Sequence, residues 1–190
     1  MAGDGSRQLI MWNVISLDGL FEGAKKWDLA FHEYVWGEEL EQLSLEQLAS
    51  ADTLVFGRVT YDGMASYWQT EEGEVASKMN SIGKLVFSRT LDKAEWNNTR
   101  LVKGKAEDEL RKLKELPGKN MFIFGSAELS ASLTRAGLID EYRLCVAPVV
   151  LGSGTPLFKS SSEQLKLKLV EAKPLRTGGV ILRYRRAEAQ

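Results

Sequence analysis

Residues 53–61 read Thr-Leu-Val-Phe-Gly-Arg-Val-Thr-Tyr, an apolar run that stops at Gly57 and is followed by Arg58 and Thr60. The pattern predicts a buried strand that ends at the glycine and a helix that begins directly after it. Such a turn gathers helix N–H groups, a hydroxyl and a guanidinium at one point, which is a way to hold a phosphate. Taken alone, the stretch is more typical of a surface arginine beside a helix cap.

Two later strand ends have the same character. Ser88-Arg89-Thr90 follows the apolar residues 84–87, and Gly125-Ser126-Ala127-Glu128 follows residues 121–124. Ligands of open α/β sheets lie outside the carboxyl ends of the strands. Three such ends supply the glycines, hydroxyls, helix starts and arginines that a dinucleotide with an extra phosphate needs. We therefore predict an NADPH site, although the Rossmann G-x-G-x-x-G fingerprint is absent.

The order of apolar and polar residues predicts one α/β domain over residues 1–190. Strands alternate with helices as far as Gly137, and a strand-rich tail follows. This order is typical of a mostly parallel sheet with antiparallel C-terminal strands. We expect one long strand over residues 141–151 and a flexible tail over residues 1–7.

Charge and composition exclude several function classes. The chain carries 25 Lys and Arg against 26 Asp and Glu, a net charge of -1, so it lacks the basic footprint of a nucleic-acid binder. We expect no membrane association, because no apolar run approaches the length of a membrane span. The first residues do not resemble a signal peptide, so we expect a cytoplasmic protein. With only Cys145 and His32, we expect no disulfide and no bound metal.

Several segments resemble known reductases. Residues 56–61, 86–91 and 122–127 resemble the three NADPH-contacting segments of dihydrofolate reductase. Residues 138–143 and 148–158 resemble the C-terminal reductase domain of riboflavin biosynthesis, and Ser16-Leu17-Asp18-Gly19 fits the same group. The resemblance covers nearly the whole chain, from about Leu9 to Tyr184. It implies the three-layer α/β/α fold of dihydrofolate reductase, NADPH as the cofactor, and a homodimer.

The resemblance also implies what the chain lacks and which residues bind the cofactor. The riboflavin enzyme often carries a zinc deaminase domain, which one His and one Cys cannot form, so we expect a stand-alone reductase-type domain. Dihydrofolate reductases have a double glycine where this chain has Gly125-Ser126, which is one departure from the pattern. The implied cofactor-binding residues are Val14 and Ile15 beside the nicotinamide; Gly57, Arg58 and Thr60 at the adenosine-side phosphates; Ser88, Arg89 and Thr90 at the 2′-phosphate; and Phe124, Gly125, Ser126, Ala127, Glu128 and Leu129 around the pyrophosphate.

The proton donor is harder to assign. Dihydrofolate reductase uses a carboxylate shortly after a tryptophan, and counting from Trp27 places His32 at that position. Asp28 is our first candidate and Asp18 the second, although a helix cap and a turn residue are equally good interpretations. The candidate substrate-binding residues are Trp27, Phe31 and His32, together with Gly152, Ser153 and Gly154, which also suit a plain turn.

Three functions remain open at this point. The first is an NADPH-dependent reductase of a small heterocycle, similar to 5-amino-6-(5-phosphoribosylamino)uracil reductase. The second is dihydrofolate reduction, which the missing carboxylate disfavours. The third is a non-catalytic nucleotide-binding dimer module that keeps the fold.

Overall fold

The computed structural model describes residues 7–159 and 164–187. Its strands are β1 Leu9–Ile15, β2 Leu20–Glu22, β3 Ala51–Gly57, β4 Gly83–Phe87, β5 Thr99–Val102, β6 Asn120–Phe124, β7 Glu141–Val146, β8 Thr155–Pro156, β9 Leu167–Pro174 and β10 Val180–Arg186. Its helices are α1 Glu38–Ala49, α2 Arg58–Trp68, α3 Glu74–Ser81, α4 Ala106–Lys114 and α5 Ala127–Arg135, with a 3₁₀ helix over Ala30–Tyr34. No helix in these two ranges is long and apolar enough to cross a membrane.

Eight strands form one sheet in the order β5-β4-β3-β6-β1-β7-β10-β9. The strands from β5 to β7 are parallel, and β10 runs antiparallel to both β7 and β9. The predicted mostly parallel sheet with antiparallel C-terminal strands is therefore confirmed. The short β2 and β8 pair separately, away from this sheet.

A hydrophobic core lies on each face of the sheet. On one face Phe56 and Phe122 pack with residues of α1, α2 and α3. On the other face Val55 and Ile123 pack with residues of α4 and α5. Successive residues of β3 and β6 thus point to opposite layers, as alternating side chains of strands buried on both faces must. This is the three-layer α/β/α arrangement that the resemblance implied.

The strand order determines where a ligand site can form. β6 lies between β3 and β1, so the carboxyl ends of these three strands are neighbours. Pairing of β1 with β6 ends at Trp12 opposite Phe124, whereas β7 follows β1 as far as Ile15. The β6-facing edge of β1 therefore has no strand partner beyond Trp12, which opens a crevice at this end of the sheet.

The expectation of a strand over residues 141–151 is wrong beyond Val146. The Ala147 N–H donates to the Ile15 carbonyl at 2.7 Å, and the Val149 N–H donates back to the Ala147 carbonyl at 2.8 Å. Pro148 lies between them and has no N–H with which to continue the strand pairing. The chain therefore turns away, and apolarity alone did not reveal the turn.

The predicted flexible tail falls mostly outside the described residues, which begin at Arg7. Arg7 itself is buried rather than flexible. Its guanidinium donates to the Asp52 carboxylate, to Thr53 Oγ1 at 2.7 Å and to the Lys119 carbonyl at 2.9 Å. The chain is thus anchored to the sheet two residues before β1 begins.

A buried ionic cluster joins the antiparallel strands to the parallel part of the sheet. Glu141 is 0% exposed and accepts hydrogen bonds from Arg143, Arg183 and Arg185 at 2.6 to 3.0 Å. Burial raises the pKa of Glu141, but the hydrogen bond from Arg183 and the charge of Arg143 outweigh burial and lower it to about 2. Glu141 is therefore ionised at neutral pH, and its loss would remove the buried carboxylate that these three guanidiniums share.

Candidate functional site

A cavity of about 590 Å³ opens at the carboxyl ends of β1, β3 and β6. Its walls include Asn13 of β1, the start of α2 around Arg58, and the residues from Phe124 to Leu129. It continues between α1, α2 and α3, where most of the lining side chains are apolar. A large, mostly apolar cavity with a few polar groups at a strand-end crevice is the usual form of a ligand site in this fold class.

The turn at Gly125-Ser126, here called the glycine turn, ties the three strand ends together. The Gly125 N–H donates to Asn13 Oδ1 at 2.8 Å, and the Ser126 N–H donates to Thr60 Oγ1 at 2.9 Å. The Gly57 N–H donates to Ser126 Oγ at 3.0 Å. Each strand end thus supplies a group that holds another, so contacts within the chain organise this part of the site.

Serine has an explicable role at the second position of the glycine turn. Gly125 and Ser126 both have φ of 51°, in the left-handed region that favours glycine. A Cβ on Gly125 would lie 3.1 Å from Thr60 Cγ2, so the first position is also crowded. Ser126 tolerates the conformation because its hydroxyl accepts the Gly57 N–H, which a second glycine could not do.

The starts of two helices face the same region. α5 begins at Ala127 directly after the glycine turn, and α2 begins at Arg58 directly after Gly57. Neither start has a hydrogen bond from a capping side chain. The first N–H groups of a helix have no partner within the helix and attract anions. Two helix starts next to one cavity can therefore bind two adjacent phosphates.

Two residues of the cavity wall carry a buried polar atom that has no hydrogen-bond partner among the described residues. These atoms are Asn13 Nδ2 and His32 Nε2. Asn13 is 6% exposed, and its other amide atom is already fixed by the Gly125 N–H. Buried polar groups are nearly always paired in folded proteins, so Asn13 and His32 are wall residues whose hydrogen-bonding capacity the described residues leave unsatisfied. Burial lowers the pKa of His32 to about 4, so the imidazole is neutral at neutral pH.

Trp27 forms another part of the cavity wall through an unusual contact. Its backbone φ is 63°, which is rare for a bulky residue. Its indole lies directly against Gly63 of α2, where a Cβ would come 1.7 Å from Trp27 Cζ2. Only glycine leaves room for the ring at that position. Backbone strain of this kind is concentrated at functional sites, where the surrounding structure maintains it.

The structure brings together many of the residues that the sequence nominated. Those that line the cavity are Val14, Gly57, Arg58, Thr60, Phe124, Gly125, Ser126, Ala127, Glu128 and Leu129 of the cofactor set and Trp27 and His32 of the substrate set. Those that do not line it are Ile15, Phe31, Ser88, Arg89, Thr90, Gly152, Ser153, Gly154 and the two aspartates. Ile15 and Phe31 belong to the hydrophobic cores, with Phe31 in edge contact with the His32 ring.

The placement of the two aspartates argues against both as proton donors. Asp18 accepts hydrogen bonds from Ser16 Oγ and from the N–H groups of Gly152 and Leu151, and these lower its pKa to about 2. It is an ionised anchor for the 151–152 loop, which explains why that loop does not reach the cavity. Asp28 is exposed, with its carboxylate beside Gly23. Proximity in sequence to Trp27 was a misleading signal.

The Ser88-Arg89-Thr90 segment lies beside the cavity rather than in its wall. β4 is the neighbour of β3, and Phe87 pairs with Gly57, so the segment lies at the same edge of the sheet. Ser88 Oγ accepts the N–H groups of Thr90 and Leu91 at 3.2 and 2.9 Å, which forms a tight turn. This turn leaves the Arg89 side chain exposed next to the start of α2.

The sequence reasoning missed several residues of the wall. Asn13 is the most informative, because an amide inside the buried run Leu-Ile-Met-Trp-Asn-Val-Ile is itself a signal of a paired polar site. Gln47 was missed on α1, and its amide oxygen accepts a hydrogen bond from Arg143 at 3.1 Å. Glu22 and Lys159 carried no recognisable signal. In the described ranges, no cluster of His, Cys, Asp and Glu side chains is arranged to hold a metal ion.

Comparisons with known proteins agree with this geometry. The family model of the RibD C-terminal domain matches residues 7–181. The uncharacterized protein YyaP of Bacillus subtilis (strain 168) is 31% identical over 186 residues, which cover 94% of each chain. A putative riboflavin biosynthesis protein from Shewanella sp. PV-4 superposes with a TM-score of 0.79 at 23% identity, covering 95% of this chain and 99% of that one.

A dihydrofolate reductase also shares the fold. The enzyme from Enterococcus faecalis, in a complex with NADP(H), superposes with a TM-score of 0.65 at 16% identity, covering 95% of this chain and 97% of that one. At these identities the structural likeness shows the fold alone. Since the family model covers nearly all of the described residues, the chain belongs to the RibD C-terminal domain family and has the dihydrofolate reductase-like fold.

Proposed function

We propose that the protein is an NADPH-dependent reductase that delivers a hydride to a small heterocyclic substrate. One observation carries the proposal. Three strand ends are locked around the glycine turn, two helix starts without a capping side chain among the described residues lie beside one cavity, and Asn13 is part of the cavity wall. This arrangement fits a ligand that has phosphates at one end and a polar ring at the other.

The residues present fit the cofactor. The starts of α5 and α2 would bind the pyrophosphate, and the absence of a side chain at Gly125 lets the ligand approach the backbone closely. Arg58 would bind a phosphate, and the exposed Arg89 beside it would bind the 2′-phosphate that distinguishes NADPH from NADH. The free edge of β1 at Val14, with Asn13 Nδ2, would orient the nicotinamide. When bound, the cofactor supplies the hydride.

The side chain of His32 in the cavity wall also bears on the identity of the substrate. Counting from Trp27 puts His32, which is neutral and lines the cavity, at the position where the resemblance to dihydrofolate reductase implies a carboxylate. A neutral imidazole does not form the ion pair that a carboxylate forms with a protonated ring. The site therefore favours a heterocycle other than dihydrofolate.

Cofactor binding can be measured by tryptophan fluorescence. Four of the five tryptophans, Trp12, Trp27, Trp36 and Trp68, line the cavity, so a bound nicotinamide should quench most of the emission. We expect saturable quenching by NADPH at micromolar concentrations. Absence of saturable binding at millimolar NADPH would reject the proposal.

A matched pair of variants tests the location of the site. Arg58→Gln should weaken NADPH binding about tenfold, because a charge-assisted hydrogen bond contributes roughly 1.5–3 kcal/mol. Arg111→Gln on α4, where the side chain is 52% exposed, should leave binding unchanged. Equal effects of the two substitutions would show that binding is not at the start of α2.

We also propose a homodimer that forms through β9. This strand is the edge of the sheet, and Leu169 and Val170 on it are 50% and 46% exposed. Exposed apolar edge strands are usually covered by a partner. A second copy of the chain would cover the edge symmetrically.

A further inference from the structure

We infer that the substrate is an uncharged, flat, largely apolar molecule with hydrogen-bond acceptors, and that it carries no phosphate. The inference rests on the proposed function, since it concerns the part of the same cavity that the cofactor would leave free. It differs from what the family relationship suggests, because reductases of riboflavin biosynthesis act on phosphorylated compounds.

Charged residues are unevenly distributed around the cavity wall. The part of the cavity between the three helices, here called the apolar end, is lined by Leu40, Leu48, Met64, Trp68, Val75 and Met79. The charged residues of the wall lie elsewhere. Arg58, Glu128 and Lys159 are at or against the two helix starts, with Lys159 Nζ 2.9 Å from Glu128 Oε1, and Glu22 and Lys26 belong to β2 and the loop after it.

An anion would be energetically unfavourable at the apolar end of the cavity. A buried phosphate without a cation or several N–H donors is strongly unfavourable. The nearby helix starts do not help, because α1 begins with Glu38, Glu39 and Glu41, and α3 begins with Glu74. A phosphate at the apolar end would therefore meet apolar side chains without gaining a favourable helix start.

Arg143 is a cation that contacts Gln47 of this wall. It donates to the Gln47 amide oxygen, but it is paired with Glu141 at 2.6 Å and does not line the cavity. Its effect is to orient Gln47. With the oxygen of that amide occupied, the NH₂ group is the end that can reach a ligand.

The polar groups that remain for a substrate in the described part of the cavity wall are uncharged. The Gln47 NH₂ is a hydrogen-bond donor, and His32, whose Nε2 is unpaired among the described residues, is neutral. Uncharged groups of this kind pair with ring carbonyls and ring nitrogens without the cost of burying a charge. Trp12, Trp36 and Trp68 line the same cavity and offer flat faces for stacking on a planar ring.

The test uses two probes that share one flat ring system. 7-Methoxy-4-methylcoumarin is uncharged and has a ring carbonyl, whereas 4-methylumbelliferyl phosphate adds a phosphate to the same ring. We expect the full-length protein to bind the uncharged probe at least tenfold more tightly in a fluorescence titration. Equal or tighter binding of the phosphate ester, or no binding of either probe, would overturn the inference.

A gain-of-charge variant shows whether charge is the discriminating factor. Val75 lies at the start of α3, is half-buried and lines the cavity, so a lysine there can place its ammonium in the cavity, and Val75→Gln controls for the packing lost with the valine. The ratio of the Kd of the phosphate ester to the Kd of the uncharged probe should fall at least threefold in Val75→Lys. The uncharged control Val75→Gln should leave this ratio unchanged. An unchanged ratio of the two Kd values in Val75→Lys would overturn the inference that charge excludes the phosphate.

NADPH binding is measured separately on the same proteins. Loss of NADPH binding with retained selectivity for the uncharged probe would reject the reductase and keep the inference about the cavity. NADPH binding together with preference for the phosphate ester would reject only the inference.

Discussion

Replacement of Thr60 by valine would test how the glycine turn is held. Thr60 Oγ1 accepts the Ser126 N–H at 2.9 Å, and the two residues are 9% and 8% exposed. Valine has nearly the same shape but no acceptor, so the substitution leaves one buried N–H unpaired. Such a loss costs about 1–3 kcal/mol. We therefore expect Thr60→Val to lower the free energy of unfolding by about 2 kcal/mol.

The same substitution should weaken the cofactor site. If the turn must be restored when NADPH binds, each 1.4 kcal/mol of the cost appears as roughly a tenfold rise in Kd. Urea denaturation gives the stability, and tryptophan fluorescence gives the Kd. Thr60→Ser keeps the acceptor and should stay close to wild type in both measurements.

A surface threonine provides the second control. Thr70 Oγ1 donates to the Tyr67 carbonyl at an exposed helix end, so Thr70→Val should change the stability by less than about 0.5 kcal/mol. Wild-type stability and wild-type NADPH affinity in Thr60→Val would refute the proposed locking of the strand ends. Equal damage in Thr60→Ser would also refute it, because the hydroxyl would not be the group that matters.

Five other variants address the charges and the assembly. Arg89→Ala should raise the Kd for NADPH roughly tenfold in the fluorescence titration and leave the Kd for NADH unchanged, since only NADPH carries the 2′-phosphate. Folding lowers the pKa of His32 from 6.5 to about 4, so between these values the imidazole is protonated in the unfolded chain but not in the folded protein. The free energy of unfolding should therefore fall by about 2 kcal/mol from pH 7.5 to pH 5 in urea denaturation. His32→Phe should remove this pH dependence. Glu141→Gln should cost about 3–5 kcal/mol in the same assay because it removes the charge of the buried carboxylate that Arg143, Arg183 and Arg185 share, whereas Glu171→Gln, at an exposed pair with Arg183, should cost under about 1 kcal/mol. Leu169→Lys should convert the proposed dimer to a monomer in light scattering, and a wild-type monomer would contradict the dimer.

The parallel part of the fold could be predicted because its signals are local. The apolar runs of β3, β4 and β6 end at glycine or at polar residues, and each boundary lies within a few residues of its predicted position. The strand β7 was predicted too long, because the apolar run continues past Val146 although Pro148 has no N–H with which to continue the pairing with β1. The apolar residues after Pro148 outweighed this local signal in the prediction.

Part of the cavity wall could be predicted because it also follows from local sequence signals. Residues at strand ends follow from the positions of the strands, so Arg58 and Gly125 could be nominated directly. The proton-donor candidates came instead from counting along the chain, and neither Asp18 nor Asp28 reaches the cavity. Gln47 joins the wall only because α1 packs over the sheet, which the spacing of its leucines does not specify.

The serine of the glycine turn shows how a departure from a family pattern can preserve the site. A left-handed conformation costs a residue with a side chain about 1–2 kcal/mol relative to glycine. The hydrogen bond that Ser126 Oγ accepts from the Gly57 N–H contributes about 0.5–1.5 kcal/mol, and it also prevents that N–H from being buried without a partner. Since the two effects are of similar size, serine maintains the turn at little net cost. It adds a direct link between β3 and β6 that a double glycine lacks. The property that the site requires is therefore the left-handed backbone next to a helix start, and the second glycine is only one way to obtain it.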